Sequence, residues 1–401
     1  MGGRVWTIRD GLAGRQHAEA GADLIDDDQT ALTQLAKDLG LRRTRILRGG
    51  FGFYGPRGRW LPSIQHMDGS AGDVWGRLFA LVHDYQLGEQ RWDGALGQRL
   101  ARQSVADWLR AQGGSVKALE RFRAFRGLFL ADPEDLSLIA LVDFFASEGG
   151  SGWGATYRLR QGNDRLATEI ARQLNGAVHL ETVLRRISQR GTHVVATVES
   201  RAGVAEITAD FAVVALPATT ARDVAFDPAL PEPQQQAITE LRYGSATRLL
   251  MQFERRFWTQ RGRPNAFGSA EPTGAFWDGN EQQKGPAILS VLAGGGASPS
   301  LQAILAGDGA AGVVKRLRWL GRPAPLLTSR TIVWEQDPWA RGGYAYFHPG
   351  FDPLWRDWLA RPHGRIVFAG EHTSLRWQGY MNGAVESGQR AAAEILSICD
   401  F

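Results

Sequence analysis

The sequence predicts an α/β fold in two domains, and three observations carry that expectation. At 401 residues the chain is longer than a single hydrophobic core usually spans. Short apolar runs of strand character accompany helical periodicity near the N-terminus, and the mixture returns after a Gly-rich bend at 149–154. Between them, residues 73–148 carry only helical periodicity, which reads as a helical insertion or cap. The composition agrees: 43% hydrophobic and 22% charged residues exclude a disordered chain.

Residues 4–8 read as a short strand before a turn at Asp10-Gly11, and 18–25 as a second strand-like piece. Residues 29–39 place apolar side chains at helical spacing and stop at Gly40, a C-terminal glycine signal. Within the insertion, amphipathic segments lie near 73–86, 96–112, 115–130 and 134–147, with Asp132-Pro133 as the break before the last. Residues 163–175 read as helix, and 178–187, 193–200 and 211–216 as strands. The last run is wholly apolar and closed by Pro217, the mark of a buried strand. Further strands are expected at 248–253, 287–293 and 330–335; a strand at 366–370, a loop and a helix over 381–398 complete the chain.

Charge and composition exclude several function classes. The net charge is +4, and 42 of the 46 basic residues are Arg, the Lys being Lys37, Lys117, Lys284 and Lys315. These arginines are scattered among Asp and Glu rather than gathered in a stripe, which argues against nucleic acid as a partner. No apolar run reaches the 18 residues or so that a membrane span needs, and the opening residues show no signal peptide, so a cytoplasmic location is expected. One cysteine, Cys399, excludes a disulfide framework and a thiolate cluster, and the eight histidines form no metal-binding pattern. The 49 glycines point to tight turns and close backbone approaches, and the 14 Trp to a large core or an aromatic-lined cavity.

The strongest local signal lies near the C-terminus. Gly364 to Gly370 forms an apolar strand ending in small residues, followed by Glu371-His372-Thr373-Ser374, and Gly379-Tyr380-Met381-Asn382-Gly383-Ala384 opens a helix. Gly383, Ala384, Ser387 and Gly388 give that helix a small-residue face, and its first turn presents unpaired N–H groups at the positive end of the dipole. Such an end suits a planar ligand that gains negative charge on reduction. This string resembles the flavin-binding signature of flavin-dependent amine oxidases of the monoamine oxidase type. Further similar segments follow along the chain: Gly2-Gly3-Arg4, Glu19-Ala20-Gly21-Ala22, the turn at 160–166, Val183 and Leu184, and the run from Val213 to Pro217. Trp334, Trp339 and the segment 342–346 resemble the family's aromatic segment on the substrate face of the flavin.

The resemblance implies a two-domain amine-oxidase-like α/β fold, with a Rossmann-like FAD domain and a mixed-sheet substrate domain carrying the helical cap. It places FAD-domain segments at 1–60, 156–220 and 346–401, the helical part at 61–155 and the substrate sheet at 221–345. It implies FAD as cofactor, an amine oxidised to an imine with O2 as acceptor, release of hydrogen peroxide, and room for a homodimer. By resemblance, Gly2, Gly3, Arg4, Val183, Leu184, Gly370, Glu371, Gly379, Tyr380, Met381 and Ala384 hold the cofactor, while Arg248, Tyr380, Trp334 and Tyr344 serve the chemistry.

Three departures qualify it. The sequence holds no strand–GxGxxG–helix unit, and the family's equivalent ends where this chain opens. That favours a start upstream of Met1, against an alternative in which cofactor binding is lost. Glycines at 11, 14 and 294–296 are decoys for that motif. Arg248 stands where the family has a Lys that holds a water near flavin N5; Arg is a multiple donor that does not readily exchange a proton. The alternative for this position is a surface arginine out of register. Tyr380 matches one wall of the family's aromatic cage, whereas Tyr344 or Ala345 stands at the other, and no cysteine in that segment offers a covalent link, so FAD is expected to be non-covalent. The alternatives are a flavoprotein oxidase or dehydrogenase acting on amino acids, polyamines or a non-amine substrate, or a non-catalytic homologue that holds no FAD.

Overall fold

The computed structural model describes residues 1–55, 59–61, 72–114, 116–147, 154–174, 176, 178–260 and 262–399. Its largest sheet is mixed and has seven strands. In spatial order these are Leu326–Val333, Ala246–Phe253, Ala287–Gly294, Ala275–Asp278, Ala266–Ser269, Phe51–Gly55 and Arg59–Leu61. All neighbours are antiparallel except Ala266–Ser269 with Phe51–Gly55. Every residue of Ala246–Phe253 and Ala287–Gly294 is buried, which explains why their sequences show no alternation. One face packs Leu249, Met251, Phe253 and Val291 against Leu301 and Val313 of the helix Ala297–Arg316. The opposite face presents Ala246, Arg248, Ala275, Trp277 and Leu292 to a cavity.

The helical insertion covers the mouth of that face. Gly72–Leu87 and Leu138–Ser147 pack together through Leu78, Val82, Tyr85, Leu138, Ile139 and Val142. The expected helix at 96–112 divides into Ala95–Ala101 and Val105–Ala111, because Ser104 caps the second by accepting the Asp107 N–H at 3.0 Å. The one at 115–130 divides into Val116–Phe122, a 3-10 turn and Arg126–Phe129, and ends at Leu130 with φ +52°. Of the Gly-rich bend at 149–154, only Gly154 lies within the described residues.

Smaller sheets make up the remainder. Ile25–Asp26, Thr156–Leu159 and Arg43–Ile46 form a three-stranded antiparallel sheet; Gly203–Ala209, His193–Ser200, Val183–Arg190 and Ala225–Asp227 form a four-stranded one. Ala212–Val214 pairs in parallel with Ile366–Phe368, which leads into the C-terminal helix Met381–Cys399. That helix packs beside Thr30–Asp38, where the Asn382 side chain accepts the Leu32 N–H at 2.9 Å.

Several expectations are corrected. The strand at 4–8 reduces to Thr7–Ile8, and the piece at 18–25 divides into Ala18–Glu19 and Ile25–Asp26 in different sheets. Between those two, Ala20 to Ala22 bond to the carbonyls of Trp6 and Arg4 instead. The strand expected at 178–187 is Val183–Arg190. The run at 211–216 is not wholly buried: only Ala212–Val214 pairs, and Val213 is 46% exposed. The helices Glu232–Glu240 and Ala297–Arg316 and the strand Gly203–Ala209 are additional to the expected elements.

Candidate flavin and substrate site

The cavity, ≈ 260 Å³, lies where the sheet, the insertion and the start of the C-terminal helix meet. Its organising group is the carboxylate of Glu371. Gly370, at φ +126°, turns the chain out of the strand and donates its N–H to Ser387 Oγ at 2.9 Å. Glu371 then accepts Arg4 Nη1 at 2.9 Å and the Gly379 N–H at 2.7 Å, while Arg4 also donates to the Gly343 carbonyl at 2.8 Å. One ion pair thus ties together the N-terminal turn, the segment around 343 and the loop before the helix. Burial disfavours the Glu371 charge, but the Arg4 guanidinium beside it holds the carboxyl below its usual range.

Arg248 lies in the cavity wall, not on the surface. It is 4% exposed, donates from Nη1 to Ser290 Oγ at 2.9 Å and from Nη2 to the Gly21 carbonyl at 2.8 Å, and stacks 4.6 Å above the Trp277 ring. Its Nε has no hydrogen-bond partner among the described residues. Burial draws its pKa below the ordinary value. Trp277 is held in turn by Asp23, whose Oδ2 accepts the indole N–H at 2.7 Å and whose Oδ1 accepts Arg158 Nε at 2.5 Å. Glu19, buried beside this pair, has its carboxyl pushed well up by burial and by the Asp23 charge.

Aromatic rings line the cavity. The Tyr344 hydroxyl bonds to the carbonyls of Gly127 and Leu128 at 2.9 and 2.8 Å, so its ring bridges the insertion and the C-terminal segment. Gly379, at φ +81°, lies so close that a Cβ there would come within 3.2 Å of that ring. Tyr380 packs edge-on against Trp377, their centroids 5.5 Å apart, and Trp334 donates its indole N–H to the Ala20 carbonyl at 3.1 Å. Leu24, Phe51, Leu128, Leu130 and Leu292 make much of the remaining wall apolar.

The structure therefore gathers Arg4, Arg248, Trp334, Tyr344, Glu371, Gly379, Tyr380, Met381 and Ala384 around one cavity. Gly2, Gly3 and Gly370 are not in its wall but shape the turns that present Arg4 and Glu371, and Val183 and Leu184 begin a strand of the four-stranded sheet. Trp339 is 60% exposed, contrary to its expected place on the substrate face. Asp23 and Trp277 escaped the sequence reading; an acid within the apolar stretch 20–25 was the available signal. Gly294 and Gly295 lie against the backbone of 126–132, where a Cβ on Gly294 would meet the Arg126 oxygen at 2.3 Å, and Gly296 lies against the Asp132 side chain, so they are a packing device.

These residues fit a flavin ring. The unpartnered Arg248 Nε offers a buried donor, the first turn of a 19-residue helix opens on the cavity through Met381 and Ala384, and the rest of the wall is largely apolar.

Comparison with known proteins agrees. The family described as flavin containing amine oxidoreductase matches residues 1–396. AofH of Mycobacterium tuberculosis, which carries a provisional flavin-containing monoamine oxidase name, is 27% identical over 99% of this chain and 89% of its own length. Dog amine oxidase [flavin-containing] B is 24% identical over 99% of this chain and 79% of its own. The solved structure of cyclohexylamine oxidase from Brevibacterium oxydans IH-35A superposes with a TM-score of 0.87 at 25% identity, covering 99% of this chain and 91% of that one. The chain belongs to the flavin-containing amine oxidoreductases, with the two-domain α/β fold of that family.

Proposed function

We propose that the chain oxidises an amine to the imine using FAD held without a covalent bond, passes the electrons to O2 and releases hydrogen peroxide. The observation that carries this reading is the buried Arg248 guanidinium in a largely apolar cavity that also holds Tyr344 and Tyr380. Bound flavin supplies the two-electron acceptor; the rest falls to the chain. Tyr344, fixed by two backbone carbonyls, and Tyr380 orient the substrate amine. A desolvated site favours the neutral amine, the form that can lose hydride, over the ammonium. Arg248 would supply a fixed positive charge and an unpartnered N–H in the cavity wall for negative charge that develops on reduction, and the Met381 helix end would add to it. Arg4 and Glu371 act by holding the cofactor segments together rather than by moving a proton. Cofactor contacts from 1–60, 156–220 and 346–401, a dimer and a cytoplasmic location belong to the same proposal.

Arg248 also favours a second reading, an amine dehydrogenase that uses another electron acceptor, because a guanidinium is a poor proton-exchange group. Both are tested by supplying the purified protein with FAD and a panel of primary amines, with peroxide and an artificial acceptor followed separately. Peroxide formation supports the oxidase, acceptor reduction without peroxide supports the dehydrogenase, and neither product refutes both.

A further inference from the structure

A second chamber, ≈ 90 Å³, adjoins the first and shares Leu128, Tyr344, Gln378 and Tyr380 with it. It lies between the helix Leu138–Ser147 and the C-terminal segment, and Arg356 forms part of its wall. This arginine is only 4% exposed and stacks 3.9 Å above the Trp92 ring, with Phe347 at 5.0 Å. Nη2 donates to the Leu375 carbonyl, yet Nε and Nη1 have no hydrogen-bond partner among the described residues, and neither does the indole N–H of Trp92. Asp143 comes no nearer to Nη1 than 3.8 Å, and its other oxygen accepts the Tyr85 hydroxyl at 2.8 Å. A second cation, Arg376, and the acids Asp28 and Asp143 also line the chamber.

A buried guanidinium with two donors that make no hydrogen bond is costly unless something satisfies them. A planar carboxylate matches that fork, and the Trp92 N–H adds a third donor. Resting on the amine-oxidising reading above, we propose that Arg356 anchors a carboxylate at the far end of the substrate, so that the preferred substrates are ω-amino carboxylates. The amine lies at Tyr344 and Tyr380, the methylene chain crosses the shared wall beside Leu128, and the carboxylate reaches Arg356 and Trp92. Leu136, Ala140 and Phe144 supply apolar surface for the chain.

The test begins with binding, measured by calorimetry on the full chain with hexanoate and with uncharged hexanamide. Hexanoate should bind at least tenfold more tightly than hexanamide. Arg356→Met should abolish that preference, Arg356→Lys should restore part of it, and Trp92→Phe, which keeps the stacked ring, should weaken it a few-fold. Unchanged near-ultraviolet circular dichroism verifies the fold of each variant. In turnover, 6-aminohexanoate should show a lower KM than its methyl amide, and Arg356→Met should erase the difference. Equal binding of hexanoate and hexanamide by the wild type, or a preference that survives Arg356→Met, overturns the proposal. Arg356-dependent hexanoate binding in a protein that oxidises no amine would leave the carboxylate site standing and refute the amine-oxidising reading instead.

Discussion

Replacing Arg248 by Met separates what this residue does for the fold from what it does for the reaction. The substitution deletes the bonds to Ser290 and Gly21, at 2.9 and 2.8 Å, and the stack on Trp277 at 4.6 Å. Hydrogen bonds to a charged group contribute about 1.5–3 kcal/mol each, and a desolvated cation–π contact about 1–2 kcal/mol. Against this, Met removes a cation whose burial costs several kcal/mol, so folding stability should change by no more than about 2 kcal/mol in either direction. The reaction has no such compensation. Losing a fixed donor aimed at developing charge typically costs about 10²–10³ in rate. Arg248→Lys keeps the charge but not the fork that spans Ser290 and Gly21, and should fall between the two. The assay is anaerobic stopped-flow reduction of the flavin by an amine, with the thermal midpoint measured on the same samples. A wild-type rate in Arg248→Met would refute the role, as would a rate loss fully explained by unfolding.

Other consequences follow from the same geometry. Glu371→Gln leaves the Arg4 guanidinium without its anion; because Arg4 is partly exposed, the destabilisation should be about 2–3 kcal/mol, seen as a lower urea midpoint, and an unchanged midpoint contradicts the tie. His372 is buried and its pKa is drawn down to about 4, chiefly by burial. The unfolded imidazole therefore binds a proton that the folded one refuses: the contribution of His372 to stability is complete above about pH 6.5 and falls by about 3 kcal/mol as the pH drops toward 4. Stability measured across that range should fall less steeply in His372→Asn, leaving the part due to His17, whose pKa burial also draws down to about 4. Gly21→Ala would place a Cβ 1.9 Å from the Arg4 carbonyl oxygen, so it should destabilise the chain by more than about 2 kcal/mol and weaken flavin retention on gel filtration, with retention at wild-type level as the contrary result. Tyr344→Phe frees the Gly127 and Leu128 carbonyls, lowering stability by about 1–2 kcal/mol and raising the KM for amines; an unaltered KM would count against its orienting role.

Much of this site was legible in sequence because its parts are local. Gly370, Glu371, Gly379, Tyr380 and Met381 lie within a dozen residues, and the turn, the carboxylate and the helix start each leave a signature in residue type. Arg248 could be flagged as chemistry-bearing but not placed, since its side of the strand depends on register, and the all-buried strand Ala246–Phe253 shows no alternation to fix it. Asp23 and Trp277 lie 254 positions apart, and their pairing is a tertiary fact. The short strands fared worst. Residues 20–22 look extended, yet a carbonyl at Arg4 and a cation at Arg248 take their hydrogen bonds, so pairing rather than propensity decides the element. The apolar run at 211–216 misled for a related reason: hydrophobicity reported strand character, while burial depends on what covers each face, and Val213 is open.

The most direct test is anaerobic mixing of the purified protein with FAD and then with a primary amine, followed in the visible flavin band. The cavity predicts that FAD remains with the protein through gel filtration, that the amine bleaches the band, and that Arg248→Met bleaches far more slowly. A protein that passes through gel filtration without FAD, or one whose bound flavin stays oxidised with every amine, would contradict the assignment of this cavity as the site of amine oxidation.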